Sequence, residues 1–316
     1  MNNPHRILTS LSIAALFCSS ANANLVIIPT FDTSITSSPD SAAIQAGINA
    51  AVAEMQSSIL TPITVRIAFK NVNTGLGVSN TSFVELSYSQ YRSDLATNQT
   101  LSSKDSLALA HLPAGANNPV NGNAMVNLTL PLLRAIGETA LGDNGGDVDS
   151  TVSLNLGDMN LSRTGPQNPA KWDLKQVALH EISEVLGAGG GGSVLASDGP
   201  VVPTGSVGSL DLYRFSANNV RSFTTSAAAT SYFSIDGGAT KLSSFNQDAS
   251  GDYADWGGNP NPQLQDAAAD AGAQLDLSAN ELTALDIVGY TLATTAKPDF
   301  NGDGKPDYLL SKSSTG

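Results

Sequence analysis

His180, Glu181 and Glu184 fall within five residues of one another, in the stretch VALHEISEVLGAGGGG at 177–192. On a helix, residues four apart share a face, with Cβ atoms roughly 5–6 Å apart. His180 and Glu184 therefore have the spacing by which zinc helices present two ligands. Glu181, next to the first ligand, is placed to act as a general base on a water held by the metal. A carboxylate in the second ligand position is acceptable to zinc. It offsets more of the metal's charge than an imidazole would, and it shifts preference toward harder ions such as calcium or manganese. The same five residues also suit an ordinary amphipathic helix with solvated glutamates, so the flanking sequence has to decide.

A third ligand is needed. Gly189–Gly192 supply no ligand side chain, and His111, in LAHLPAG, is the only other histidine beyond the first 23 residues. An isolated histidine is more often a surface or packing residue. Asp211 in SLDLYRF is the preferred third ligand, because it follows the glycine tract and an acid among apolar neighbours needs a partner once buried. Its structural alternative is an aspartate satisfied by backbone donors or by Arg214. Asp198 is the weaker candidate.

The helix that must carry these residues has clear ends. Asp173 suits the N-cap, with Gln176 three residues on as in a capping box, and Gly187 suits a left-handed C-cap. Upstream, residues 40–57 place Ile44, Ile48, Ala51 and Met55 at helical spacing, and 61–70 alternate Ile63, Val65, Ile67 and Phe69 as a half-buried strand. Strands are expected at 83–88, 126–130 and around 152–156, with short helices at 88–95 and 132–140. Residues 112–124 and 247–263 read as loops, and 187–208, rich in Gly, Ser and Pro, as a long loop bordering a site. Strands are expected again at 210–215 and 232–235, then a helix at 278–288 capped by Ser278 with Glu281 at N3. Helices and strands mixed in this way predict an α+β domain over residues 24–292.

VALHEISEVLG resembles the hAxHExxHxxG helix of the zincin metalloproteases, especially the metzincins, with Gly187 matching the glycine after the second ligand. The chain is more closely similar to secreted bacterial predicted metalloproteases that carry HEIxEVLG. SLDLYRFSANNVRSFTTS, YFSIDGGATKLSSFNQ, GDYADWGG and ELTALDIVGY share in that likeness, which covers most of 25–292. It implies a zincin-like fold with a mixed twisted sheet, zinc as cofactor, and a peptidase acting on protein or peptide. Two departures stand out. The metzincin third-ligand position is Gly190, and no methionine follows Met159 to form a methionine turn. A non-catalytic adhesion or cell-surface module on the same scaffold is the alternative.

The ends of the chain add two expectations. A weakly basic start, an apolar run from Ile7 to Cys18 and Ala21-Asn22-Ala23 predict a signal peptide over 1–23, cut after Ala23, and a secreted or cell-surface protein. Cys18, the one cysteine, leaves with it, so no disulfide framework remains. After a linker at 293–298, DFNGDGKPD places Asp299, Asn301, Asp303 and Asp307 at positions 1, 3, 5 and 9 of a calcium loop, with Gly304 at the turn. The segment 299–316 resembles the opening of an FG-GAP or VCBS-type repeat, which implies a truncated β-propeller repeat with bound calcium. Loss of Arg6 with the leader takes the net charge from −13 to about −14. That excess of acid argues against nucleic acid and anionic membranes as partners, and no membrane insertion is expected once the leader is removed.

Overall fold

A computed structural model describes residues 24–97, 101–190, 195 and 207–293. The expected leader, the calcium loop of Asp299, Asn301, Asp303 and Asp307, and Asp198 lie outside the described residues.

Strand β1 (Val26–Phe31) leads through a short helix α1 (Thr33–Thr36) into α2 (Ser41–Ser58), and the chain returns as β2 (Thr64–Asn71). β1 and β2 pair in parallel, Val26 opposite Thr64 through Phe31 opposite Phe69, so α2 is a crossover helix. Strands β3 (Gly77–Thr81) and β4 (Phe83–Ser87) follow, then helices α3 (Tyr88–Thr97) and α4 (Ser103–Ala110). Next come β5 (Met125–Thr129), α5 (Leu130–Ala135) and β6 (Ser150–Leu154). The main sheet runs in the order β1-β2-β6-β3. β6 is parallel to β2, and β3 is antiparallel to β6 at the edge. On β2, Val65, Ile67 and Phe69 are buried and their neighbours are less so, the period-two pattern of a strand with one buried face.

Two short strands, β7 (Met159–Asn160) and β8 (Trp172–Asp173), precede the motif helix α6 (Leu174–Val185). α6 packs on the sheet against β3 and β6, and on α2. Gly47 permits the second contact, since a Cβ there would stand 2.7 Å from Leu174 Cδ2. Ile44, Ile48, Ala51, Val52 and Met55 bury one face of α2.

After β9 (Val207–Gly208) the chain makes a 3-10 turn, Leu210–Tyr213. The sequence predicts a strand over 210–215. Strand β10 begins only at Arg214 (Arg214–Ala217), because Asp211 Oδ2 accepts the Gly208 amide at 2.8 Å and closes a turn. β10 pairs antiparallel with β11 (Val220–Arg221) and β12 (Tyr232–Phe233), and β12 with β13 (Ser243–Ser244). A final helix, α7 (Ala279–Val288), carries the predicted Ser278–Glu281 capping box. The fold therefore mixes helices with several sheets, and the β1-β2-β6-β3 sheet has three parallel strands. One hydrophobic cluster runs from Leu25 to Tyr290. Among the described residues no helix is long and apolar enough to cross a membrane.

Candidate metal centre

The motif helix is fixed at both ends. Asp173 accepts the Gln176 amide at 2.9 Å, and its carboxylate pairs with Arg163 at 2.6 Å. The reciprocal half of the expected capping box is absent, because Gln176 Oε1 takes the Leu275 amide instead. At the other end Gly187, at φ +89°, lets its amide reach Glu184 O and the Ala188 amide reach Ser183 O. Those two bonds make a Schellman cap.

On this helix His180 and Glu184 lie together, with His180 Nε2 3.3 Å from Glu184 Oε1. The third member of the group is Asp255, whose Oδ2 is 3.4 Å from the same nitrogen. One ligand atom from each of His180, Glu184 and Asp255 lies within 4.8 Å of the others, and among the described residues no other such group could hold a metal ion. Asp211, the third ligand expected from sequence, is not part of it. Asp211 is fully buried beneath the 3-10 turn, where its carboxylate serves the Gly208 amide. His111 ends α4, with Nδ1 2.9 Å from Leu107 O.

Neighbouring groups orient each member. His180 Nδ1 is 3.1 Å from Leu264 O, and a carbonyl only accepts, so the proton sits on Nδ1 and Nε2 faces the carboxylates. Ser79 of β3 donates to Glu184 Oε2 at 2.7 Å. Gln265 donates to Asp255 Oδ1 at 3.0 Å, leaving Oδ2 toward His180. The glycine tract, which has no ligand, provides clearance. A Cβ on Gly190 would stand 2.3 Å from Glu184 Oε1 and 2.6 Å from Asp252 Oδ2, and one on Gly189 would stand 2.2 Å from Gln265 Nε2.

Glu181 is 4% exposed and its Oε2 has no hydrogen-bond partner. A Cβ on Gly77 of β3 would fall 2.2 Å from Glu181 Oε1, so that position too is kept bare. Burial, then the charge of Glu184, raises the Glu181 pKa well above its usual value. Burial would also raise Glu184, but its bonds from His180 and Ser79 outweigh that and hold it below the usual range. Burial pulls His180 down, yet Asp255 and Glu184 more than compensate and its pKa ends well above normal. Asp252, across the cleft, is raised to about 6 by burial and by the charges of Glu184 and Asp255.

These groups could hold a divalent ion. Three acids are almost wholly buried around one imidazole: Glu181 is pushed toward its neutral form, and His180 toward the cation that offsets Glu184 and Asp255, a charge that a divalent ion in place of the Nε2 proton would also offset. One nitrogen and two carboxylate oxygens match the ligand types that zinc accepts. The group opens into a cleft of about 560 Å3 lined by Gly75 to Ser79 on one side and by Asp252 and Ala267 on the other.

Asp255 and Asp252 were missed because GDYADWGG lies in a stretch that reads as polar loop. The available signal was an acid interleaved with Tyr253, Ala254 and Trp256, all of which are buried. In comparisons with known proteins, no family model, no curated protein and no solved structure matches this chain.

Proposed function

We propose that the chain is a secreted, zincin-like endopeptidase acting on protein or peptide, with His180, Glu184 and Asp255 holding a divalent ion, zinc in the first instance. The supporting observation is the convergence of their three ligand atoms within 4.8 Å, beside buried Glu181 and at the floor of a cleft. When bound, such an ion supplies Lewis acidity, which acidifies water and polarises a carbonyl oxygen.

The protein's own groups do the rest. Glu181 Oε2 takes a proton from a water molecule and returns it to the departing amine. Gln265 and Leu264 O keep Asp255 and His180 in register, and Ser79 does the same for Glu184. β3 is the edge strand of the main sheet, and its Gly77, Val78 and Ser79 line the cleft. Its outer backbone groups offer an extended peptide a strand to pair with.

The test is metal analysis of the purified chain together with peptide cleavage by wild type and by Glu181→Gln. The variant should keep its zinc and lose about 10²–10⁴-fold in turnover, the usual worth of a general base. Wild type without zinc would remove the metal reading. Zinc bound with equal turnover in both proteins would remove the role of Glu181 alone.

A further inference from the structure

The third acid of the cluster comes from a segment, Asn246–Gln265, that contains no helix and only isolated bridges. Two buried ionisable side chains grip it from behind. Arg214, at the start of β10, is 0% exposed. Its Nη1 donates to Tyr253 O at 2.6 Å, and its Nη2 to Gln247 Oε1 at 2.6 Å and Asn246 O at 3.3 Å. The guanidinium carbon lies 4.2 Å from the centre of the Phe245 ring. Burial pulls the Arg214 pKa down to about 10, and nearby Asp211 opposes the shift. The second grip is Glu281 on α7, 2% exposed. Its Oε1 accepts Trp256 Nε1 at 3.0 Å and the Gln265 amide at 3.3 Å.

These contacts bracket Asp255. Arg214 fixes the backbone at Tyr253, two residues before the ligand, and Glu281 fixes the indole of Trp256, the residue after it. Glu281 also holds Gln265, whose side chain donates to Asp255 Oδ1. Between the grips the segment closes on itself, with the Asn246 amide on Asp255 O and the Trp256 amide on Gln265 O, both at 2.8 Å. Neither Arg214 nor Glu281 belongs to the metal group. Burying a guanidinium and a carboxylate is a poor way to gain stability, since apolar side chains of similar volume often do as well or better. The fork of an arginine, however, can hold several oxygens at set positions.

We propose that Arg214 and Glu281 are positioning residues that brace Asn246–Gln265 and preset Asp255 as the third ligand. The inference rests on the metal-site reading. Arg214→Lys keeps the charge and loses the fork, and Glu281→Leu removes the oxygen that accepts from Trp256 and Gln265, which a glutamine would retain. In each folded variant the zinc dissociation constant, measured by competition with a chromophoric chelator, should rise about 10–100-fold, the usual effect of losing an outer-shell partner. In an Asp255→Asn background the same changes should add almost nothing, because the brace acts through Asp255. Equal losses in both backgrounds, or an unchanged constant in the single variants, would overturn the proposal. If Arg214→Lys does not fold, Glu281→Leu carries the test alone.

Hydrogen exchange of the metal-free proteins gives a readout independent of zinc. The amides of Asn246, Trp256 and Ala267 should exchange faster in the variants while those of β2 and α6 keep their rates. Uniform acceleration along the chain, or none, counts against the brace. A wild type that binds no zinc refutes the metal reading, and the exchange pattern then decides on its own whether the pair holds the segment.

Discussion

Glu184 stands where a second histidine would make the motif an ordinary zinc helix, and its surroundings fit a carboxylate. Ser79 binds one oxygen while the other faces His180 Nε2, so both are directed. The position that decides the site is Gly190, at which a side chain would collide with Glu184 and Asp252. Gly190→Ala should therefore weaken zinc binding by at least about 10-fold, as disturbing a ligand's support does, with little change in Tm. A chelator competition titration checks it, and unchanged affinity would mean the tract can move aside. Asp211→Asn should behave in the opposite way. Asp211 holds the Gly208 amide and lies outside the metal group. The variant should cost about 1–3 kcal/mol in urea unfolding, as for a compromised buried polar contact, while zinc affinity stays put. A large loss of zinc would restore Asp211 as a ligand.

At the scale of elements, α6 owes its placement to Asp173, which caps the helix and pairs with Arg163. Asp173→Ala removes the cap and one of the two carboxylate partners of Arg163, which keeps Asp276 and the Leu275 carbonyl. A cost of about 1–2 kcal/mol is expected, from a lost N-cap and the loss of one partner of a shared, partly exposed ion pair. Urea unfolding monitored by far-UV circular dichroism measures it, and a cost under about 0.5 kcal/mol, as at an ordinary surface site, would show the cap to be dispensable. The elements legible in the sequence were those in which period and cap agree. α2 shows its buried stripe, β2 its alternation and α7 its capping box. β1 was not read, although it pairs along its whole length with β2, because six residues around Pro29 give little alternation. The parallel pairing itself depends on the crossover through α2, which no local pattern encodes. The segment carrying Asp255 has no period at all. Its shape comes from side-chain bonds to Arg214 and Glu281, which lie between 39 and 16 residues from the groups they hold. The helix half of the candidate site was thus readable, and the loop half could only emerge from tertiary structure.

For the whole molecule, a chain with net charge −13 must place some acids where charge is unwelcome. The contact between α4 and α7 is one such place. Asp105 of α4 is 5% exposed, and Ser102 Oγ, which caps α4, donates to Asp286 Oδ2 on α7 at 2.8 Å. Lys104 Nζ reaches Thr283 Oγ1 at 2.6 Å. Burial raises the Asp105 pKa from 3.8 to about 6; the backbone bond from Ser102 opposes the shift and the charge of Asp286 adds to it. Asp286 is raised too, by burial, against the pull of Ser102 and Lys104. The folded protein therefore holds a proton on Asp105 at a pH where the unfolded chain has released it. This contribution to stability is complete below pH 3.8 and is lost as pH rises through about 6. Asp105→Asn keeps an oxygen for the Ser102 amide and cannot ionise. Relative to wild type it should gain about 1–2 kcal/mol between pH 4 and pH 7.5, less than the full value of two pKa units because nearby solvent screens the carboxylate. Urea unfolding of both proteins at the two pH values measures the change. A difference that stays constant with pH would mean that Asp105 is ionised in the folded protein at pH 4 as it is at pH 7.5. The α4–α7 contact would then have to draw its hold from Leu109, Leu95 and Ile287 around that carboxyl.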